Sequence, residues 1–548
     1  MADVTPDALL ALAQTAGLTI PDGDVEQLTM RFNAQLEALS VLDDHPLDGV
    51  PPTPALHHPL TLPDHDRGAA PPLATDTDAP LPYKPITELA HLIRTKQISP
   101  VELTDQYLQR IGEHDGVLKS YITVTSDIAR AEAHEAERKI AAGEAVGPLH
   151  GIPLGYKDEF YTKGVLTTCG SIILSEFVPD YDAAAVERLH DAGATMLGKL
   201  NMTEWATPLT LEFSYGQPVN PWNIEHDAGG SSTGSGSATA AGLCAGSLGE
   251  DTGGSIRRPA AYNSCVGLRP SWGRVSLYGM IPGVWYQDTA GPLGRTVADC
   301  ALLMNVLAGY DPRDPYSANL PVPDYTVALD GDVRGMRIGV LREAQEADFL
   351  NPEVKAAIAD AAARFQRMGA TVGDASIPLL PISGMINGAL GSGRIAQQWN
   401  WLKDRPQDYD DSVRLYSLLP ALLPSSLYQR ALQMRAEMRR QTIEAISGFD
   451  VIISAYAGDG PPRIDDTKKA PRSKEHALDQ LRRFNFGSPA TYSAMPGLSV
   501  PCGFTSSGLP IGMHIMGDRF DEESVFRAAH AYEQDTLWHT MHPPVGSQ

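Results

Sequence analysis

Two short stretches of this 548-residue chain combine serine and glycine in ways that could do chemistry: GGSSTGSGSA at 229–238 and GEDTGGSIRRPA at 249–260. A phosphate-cradling loop needs a lysine after its glycines, and none follows here. A dinucleotide fingerprint fails because Gly234-Ser235-Gly236-Ser237-Ala238 runs into Thr239. Gly230-Ser231-Ser232-Thr233-Gly234 matches the GxSxG nucleophile elbow, with Ser232 as nucleophile. That elbow requires a buried strand directly before it, and NPWNIEHDAG, rich in Asn, Pro, Asp and Gly, does not supply one. In the second stretch, Asp251-Thr252-Gly253-Gly254-Ser255 gathers backbone N–H groups and a hydroxyl at a turn before the helix-competent IRRPAAY. Such a turn suits a developing oxyanion. Upstream, HGIPLGYKDEF carries Lys157 directly after an apolar run, where a lysine leaving a buried strand is desolvated. The plain alternatives are a glycine-serine turn and a solvated loop lysine, and the residues alone leave them open.

These groups need a scaffold. From residue 83 onward, apolar runs (HGIPLGY, ATMLG, MRIGVL, DVIISAY, IGMHIMG) alternate with helical stretches such as ITELAHLIRTKQISPVELTDQYLQRIGEHDG. That rhythm predicts an α/β fold with a central sheet covered by helices on both faces. Residues 380–445 are a helix-rich cover; Trp399, Trp401, Tyr409, Tyr416 and Leu418 there either line an apolar acyl or aryl pocket or form the cover's own core. Residues 1–45 predict a helical hairpin, with Leu9, Leu10, Leu12 and Ala13 as the apolar face of its first helix and Leu28, Phe32, Leu36, Leu39 and Leu42 at helical spacing in its second. Two short helices make no core alone and must dock on something. Residues 46–82 are a Pro-rich linker whose His57, His58 and His65 lack any metal-binding motif.

The quoted segments resemble the amidase signature family of serine hydrolases over most of residues 83–545. HGIPLGYKDEF, GKLNMTEWA (198–206), NPWN (220–223), the two serine stretches, DTAGPLGRTVADCALLMNVLAG (288–309) and FNFGSPATYSAMPGLSVPCGF (484–504) follow in that family's order. The resemblance implies an amidase signature fold with a central mixed β-sheet. It also implies a Ser-Ser-Lys triad: Ser255 as nucleophile, Ser231 on a cis peptide as proton relay, and Lys157 as base, with 24 residues between the serines. It places oxyanion donors on the backbone N–H groups of Thr252, Gly253, Gly254 and Ser255, and supporting roles on Ser232, Asp251 and Arg257. A lysine base must be neutral, which at pH 7 costs about 4.6 kcal/mol, and burial without a carboxylate partner can supply that. Three residues depart from the family pattern, Thr233, Glu250 and Arg258, and all three are expected to stay off the triad.

The resemblance implies amide C–N hydrolysis through an acyl-enzyme, with no cofactor and no metal, on a small-molecule amide such as an aryl amide, anilide or carbamate. The hairpin resembles the small subunit of the tRNA-dependent amidotransferase, which raises a second reading: glutamine hydrolysis feeding ammonia to a tRNA-bound partner. No segment of the type GTYxLSxGYYDAYY, which such amidase subunits carry, is found; SGMINGALGSGRIAQQWNWLK occupies that region. Lys+Arg 43 against Asp+Glu 67 gives a net charge of −24, a surface that repels phosphate backbones and anionic lipid. A stand-alone enzyme with no nucleic acid and no membrane partner is therefore expected, with a homodimer as a possible assembly. Five scattered cysteines without CxxC pairs, and a start without a signal-peptide pattern, predict a cytoplasmic protein.

Overall fold

All five apolar runs become strands of one sheet. The structure, a computed structural model, describes residues 3–52, 69–73, 78–144 and 146–545. Among the described residues the sheet has eleven strands, bounded by Tyr121–Val124 at one edge and Thr371–Ala375 at the other. It is mixed. Pro153–Lys157 lies parallel to both Thr195–Leu200 and Gly246–Glu250, and Gly246–Glu250 pairs antiparallel with Ala290–Gly294. These first three strands are buried at every residue, as strands flanked by helices on either side must be. Lys157 and Glu250 are the last residues of adjacent parallel strands, so the sheet delivers both to one end.

GGSSTGSGSA is ordered by the same framework. Ser232 caps the helix Thr233–Ala240, every residue of which is buried. A Cβ on Gly234 would collide with the carbonyl oxygen of Ser120, so the glycine allows close backbone approach and is not slack.

The N-terminal hairpin consists of α1 (Pro6–Thr15) and α2 (Val25–Leu39). Thr5 caps α1 by accepting from the Ala8 N–H at 3.3 Å. Leu9 and Ala13, one turn apart, are buried, whereas Leu10 and Leu12 are 38% and 45% exposed. The apolar face of α1 is thus half of that expected, because residues 10 and 12 point away from the 9/13 line. In α2 and just beyond it, Leu28, Phe32, Leu36, Leu39 and Leu42 are all buried. The hairpin docks on the cover helices. Asp24 pairs with Arg414, the Gln35 amide donates to the Met385 carbonyl at 2.7 Å, and Lys474 holds Glu37 at 2.9 Å. The Pro-rich linker lies largely outside the described residues, and His57, His58 and His65 lie wholly outside them. Among the described residues no helix is long and apolar enough to cross a membrane, no cluster of His, Cys, Asp and Glu is arranged to hold a metal, and all five cysteines are free and buried.

Candidate active site

Lys157 is fully buried at the end of its strand and donates to Ser231 Oγ at 2.8 Å and to Glu250 Oε2 at 2.9 Å. Glu159 Oε1 lies 3.0 Å from the same Nζ. The expectation of a lysine buried without a carboxylate is therefore corrected. Burial pulls the ammonium down, but Glu159 and Glu250 outweigh it and hold Lys157 above its ordinary value. Burial in turn pushes the Glu159 carboxyl well above the usual carboxylate range. The strand ends at Lys157, and Glu159 reaches the same ammonium from the turn that follows. Neighbouring Asp158 turns elsewhere, 3.4 Å from Lys199 and 2.8 Å from the Thr168 N–H.

The Gly230–Ser231 peptide is cis. The Ser231 carbonyl accepts from the Thr203 N–H at 3.2 Å and the Thr233 hydroxyl at 3.3 Å. Ser232 is sealed from solvent. Its hydroxyl donates to the Glu250 carbonyl at 3.1 Å and its N–H to the Ser255 carbonyl at 3.1 Å, tying the two serine stretches together. The elbow reading of Ser232 fails on this orientation. Two of the three departures do reach the triad positions, contrary to expectation: Glu250 contacts Lys157, and Thr233 contacts the backbone of Ser231.

Ser255 stands on the wall of a cavity of about 340 Å³, and its hydroxyl makes no hydrogen bond to a described residue. The structure thus joins Lys157 to Ser231 and leaves the Ser255 hydroxyl open to the cavity. Of the four expected oxyanion donors, Gly254 is withdrawn: its N–H donates to Asp251 Oδ1 at 2.7 Å. The N–H groups of Thr252, Gly253 and Ser255 have no acceptor among the described residues. Asp251 organises this turn. It also accepts from the Ile256 N–H at 3.2 Å and pairs with Arg257 at 3.0 Å and Arg269 at 3.1 Å. Burial works against its charge, yet the two guanidiniums hold its carboxyl well below the usual carboxylate range. Arg257 continues to the Gly487 carbonyl and the Thr491 hydroxyl, both at 2.9 Å. Gly254 has φ +124°, and a Cβ there would overlap the Tyr456 hydroxyl.

A further carboxylate was missed in the sequence. Asp288 Oδ1 lies 2.8 Å and Glu250 Oε1 2.6 Å from the one hydroxyl of Thr252. Burial, reinforced by the Glu250 charge, pushes Asp288 up to about 6.

The cavity wall is polar. Gln287, Asn387, Asn485 and Thr491 line it with Arg258, Arg394 and Arg483, and among the described residues no aspartate or glutamate lines it. Of the five cover residues offered for an apolar pocket only Tyr416 lines it. Trp401 stacks on Trp205 at 4.9 Å, and Tyr409 and Leu418 are buried in the cover's own packing. The aryl pocket is therefore replaced by a cationic one.

The model of the family described as Amidase matches residues 102–526. The A subunit of glutamyl-tRNA(Gln) amidotransferase from Thermosynechococcus vestitus is 39% identical over 486 residues, 84% of this chain and 99% of that protein. Among solved structures, one described as a vestigial protein complex revealing the evolutionary origins of an s-triazine catabolic enzyme matches at 30% identity and TM-score 0.75, covering 82% of this chain and 98% of its own. Native peptide amidase from Stenotrophomonas maltophilia matches at 31% identity and TM-score 0.70, covering 85% and 100%. The expectation that nucleic acid has no place is overturned by the first of these relatives, which belongs to an enzyme named for a tRNA-linked substrate. Net charge averaged over the chain carried no information on that point. Family model, relatives and fold agree, and the chain belongs to the amidase family.

Proposed function

We propose that this chain hydrolyses a polar primary carboxamide, glutamine first among them, through an acyl-enzyme on Ser255, and that the ammonia serves an amidotransferase reaction on a tRNA-bound partner in the cytoplasm. The observation that carries this reading is the cavity beside Ser255, polar, cationic and, among the described residues, free of carboxylates. It suits an amide bearing a carboxylate and disfavours an aryl amide or anilide. The identity to an amidotransferase component supports the second half.

In this reading Ser255, Ser231 and Lys157 take the roles that the family resemblance implies. Ser255 Oγ attacks the amide carbon, and its proton passes through Ser231 to Lys157, which accepts it once its ammonium has been deprotonated. The N–H groups of Thr252, Gly253 and Ser255 receive the oxyanion. The same relay returns the proton to the departing nitrogen, which leaves as ammonia, and water then attacks the ester to release the acid and restore Ser255. Asp251 and Arg257 hold the turn, and Ser232 fixes the Glu250 backbone.

A free-standing amidase is the second reading, favoured by one observation: the hairpin that resembles a separate small subunit belongs to this chain and is docked on its own cover helices. Ammonia release from glutamine and neutral aliphatic amides and aniline release from anilides, measured for wild type and Ser255→Ala, with and without glutamyl-tRNA(Gln) and the remaining amidotransferase subunits, separate the two. Glutamine hydrolysis enhanced by those subunits is the expected result. Preference for anilides, or turnover surviving in Ser255→Ala, overturns the proposal.

A further inference from the structure

The cavity beside Ser255 adjoins a second one at the cover. Gly384, Asn387, Tyr416, Gln480 and Leu481 line it on one side and, on the other, line a second cavity of about 170 Å³. The two compartments share a wall made by the cover helix Ser383–Leu390, Tyr416 and the helix Lys474–Arg482. The far side of the second compartment belongs to the N-terminal hairpin: Arg31 and Gln35, one turn apart on α2.

Gln35 is committed to the protein, since its amide donates to the Met385 carbonyl at 2.7 Å. Arg31 is not. Its Nε is buried without a hydrogen-bond partner, and its guanidinium forms no ion pair among the described residues. Among the described residues it is the one charged residue lining that compartment, whose apolar walls include Leu415, Leu419, Pro420, Pro471 and Ala477. Burial alone, with no opposing carboxylate, lowers its ordinary value. A half-buried guanidinium bordering a partly open cavity with no carboxylate among its described lining residues can be met by an anion, and a guanidinium binds a carboxylate through two parallel N–H donors.

We propose that α2 completes the substrate site and that Arg31 receives a carboxylate remote from the scissile amide, so that the substrate is an ω-amide of a carboxylic acid reaching from Ser255 into the hairpin compartment. The proposal rests on the reading of Ser255 as the acylated residue only for which end of the ligand faces the catalytic cavity. It gives the hairpin a part in recognition, beyond covering apolar surface.

The test is calorimetric titration of Ser255→Ala protein, full-length, with the ω-monoamides of four- to eight-carbon dicarboxylic acids and with neutral primary amides of equal length. Arg31→Met preserves the packing stem and removes the charge; Arg31→Lys keeps a charge without the fork. The expected result is that Arg31→Met weakens one or more of the carboxylate-bearing amides at least tenfold, leaves the neutral amides unchanged, and is partly rescued by Arg31→Lys, with unchanged melting temperature. Equal effects on charged and neutral amides, no binding of any monoamide, or no effect of Arg31→Met overturns it. Intact binding with no turnover in the parent enzyme would sink the hydrolase reading and leave the site standing.

Discussion

Lys157 and Glu250 close adjacent parallel strands, and their side chains meet with Nζ 2.9 Å from Oε2, both sealed from solvent. The carboxylate favours the ammonium, so the base form of Lys157 is reached only as pH rises. The rising limb of kcat/KM should lie on the alkaline side. Glu250→Gln removes one of two opposing charges, leaves burial to act, and should move that limb to lower pH by about one unit or more, each unit being about 1.4 kcal/mol. A pH–rate profile of both proteins checks this; a limb that stays in place or moves upward refutes it.

Ser231 and Ser232 are neighbours in sequence with opposite surroundings. Ser231→Ala removes the hydroxyl next to Lys157 and should slow acylation by about 10²–10⁴-fold, the range for a lost proton-transfer step. Ser232→Ala removes a contact to the Glu250 backbone and should cost about tenfold or less. Labelling rates with a fluorophosphonate read both, and Ser255→Ala should not label at all. Labelling retained in Ser255→Ala but lost in Ser232→Ala would reverse the assignment.

Asp251 is paired with two buried arginines, so replacing it by Asn leaves both without a counter-charge. The expected destabilisation at pH 7 is about 3–5 kcal/mol. Its folded value is depressed, so its contribution is complete above the ordinary carboxylate value and is lost as pH falls through the folded one. Denaturant melts should therefore show the gap between wild type and Asp251→Asn full at pH 7 and pH 5, smaller at pH 3, and lost only under more strongly acid conditions. A gap that closes already at pH 5 would contradict the pairing.

Gly254 combines a left-handed backbone with a neighbour that leaves no room for a methyl group. Gly254→Ala should cost about 1–3 kcal/mol in backbone strain alone and displace Tyr456 as well. Adding Tyr456→Phe frees the space taken by the hydroxyl and should recover part of the labelling rate. A double variant no better than the single would show that Tyr456 is not the obstacle.

The strands were legible because their apolar runs are short and bounded, and all five quoted runs lie in the sheet. Their order was not, since pairing such as Gly246–Glu250 with Ala290–Gly294 depends on contacts distant in sequence. Among site residues, Lys157 and Ser231 were found through motif order and do meet. Gly254 was misjudged because a motif names a turn without saying which carboxylate takes each N–H. The aromatics of the cover were ambiguous for a related reason: composition does not tell a pocket wall from a packed interior, and Trp401 found Trp205.

Thr252 has a single proton to donate, yet its hydroxyl lies within hydrogen-bond reach of both Glu250 and Asp288. The two carboxyls therefore compete for that proton, and burial together with the Glu250 charge raises Asp288 to about 6. A chain that is acidic overall meets its substrate with arginines around the opening, which is how it can admit an anion.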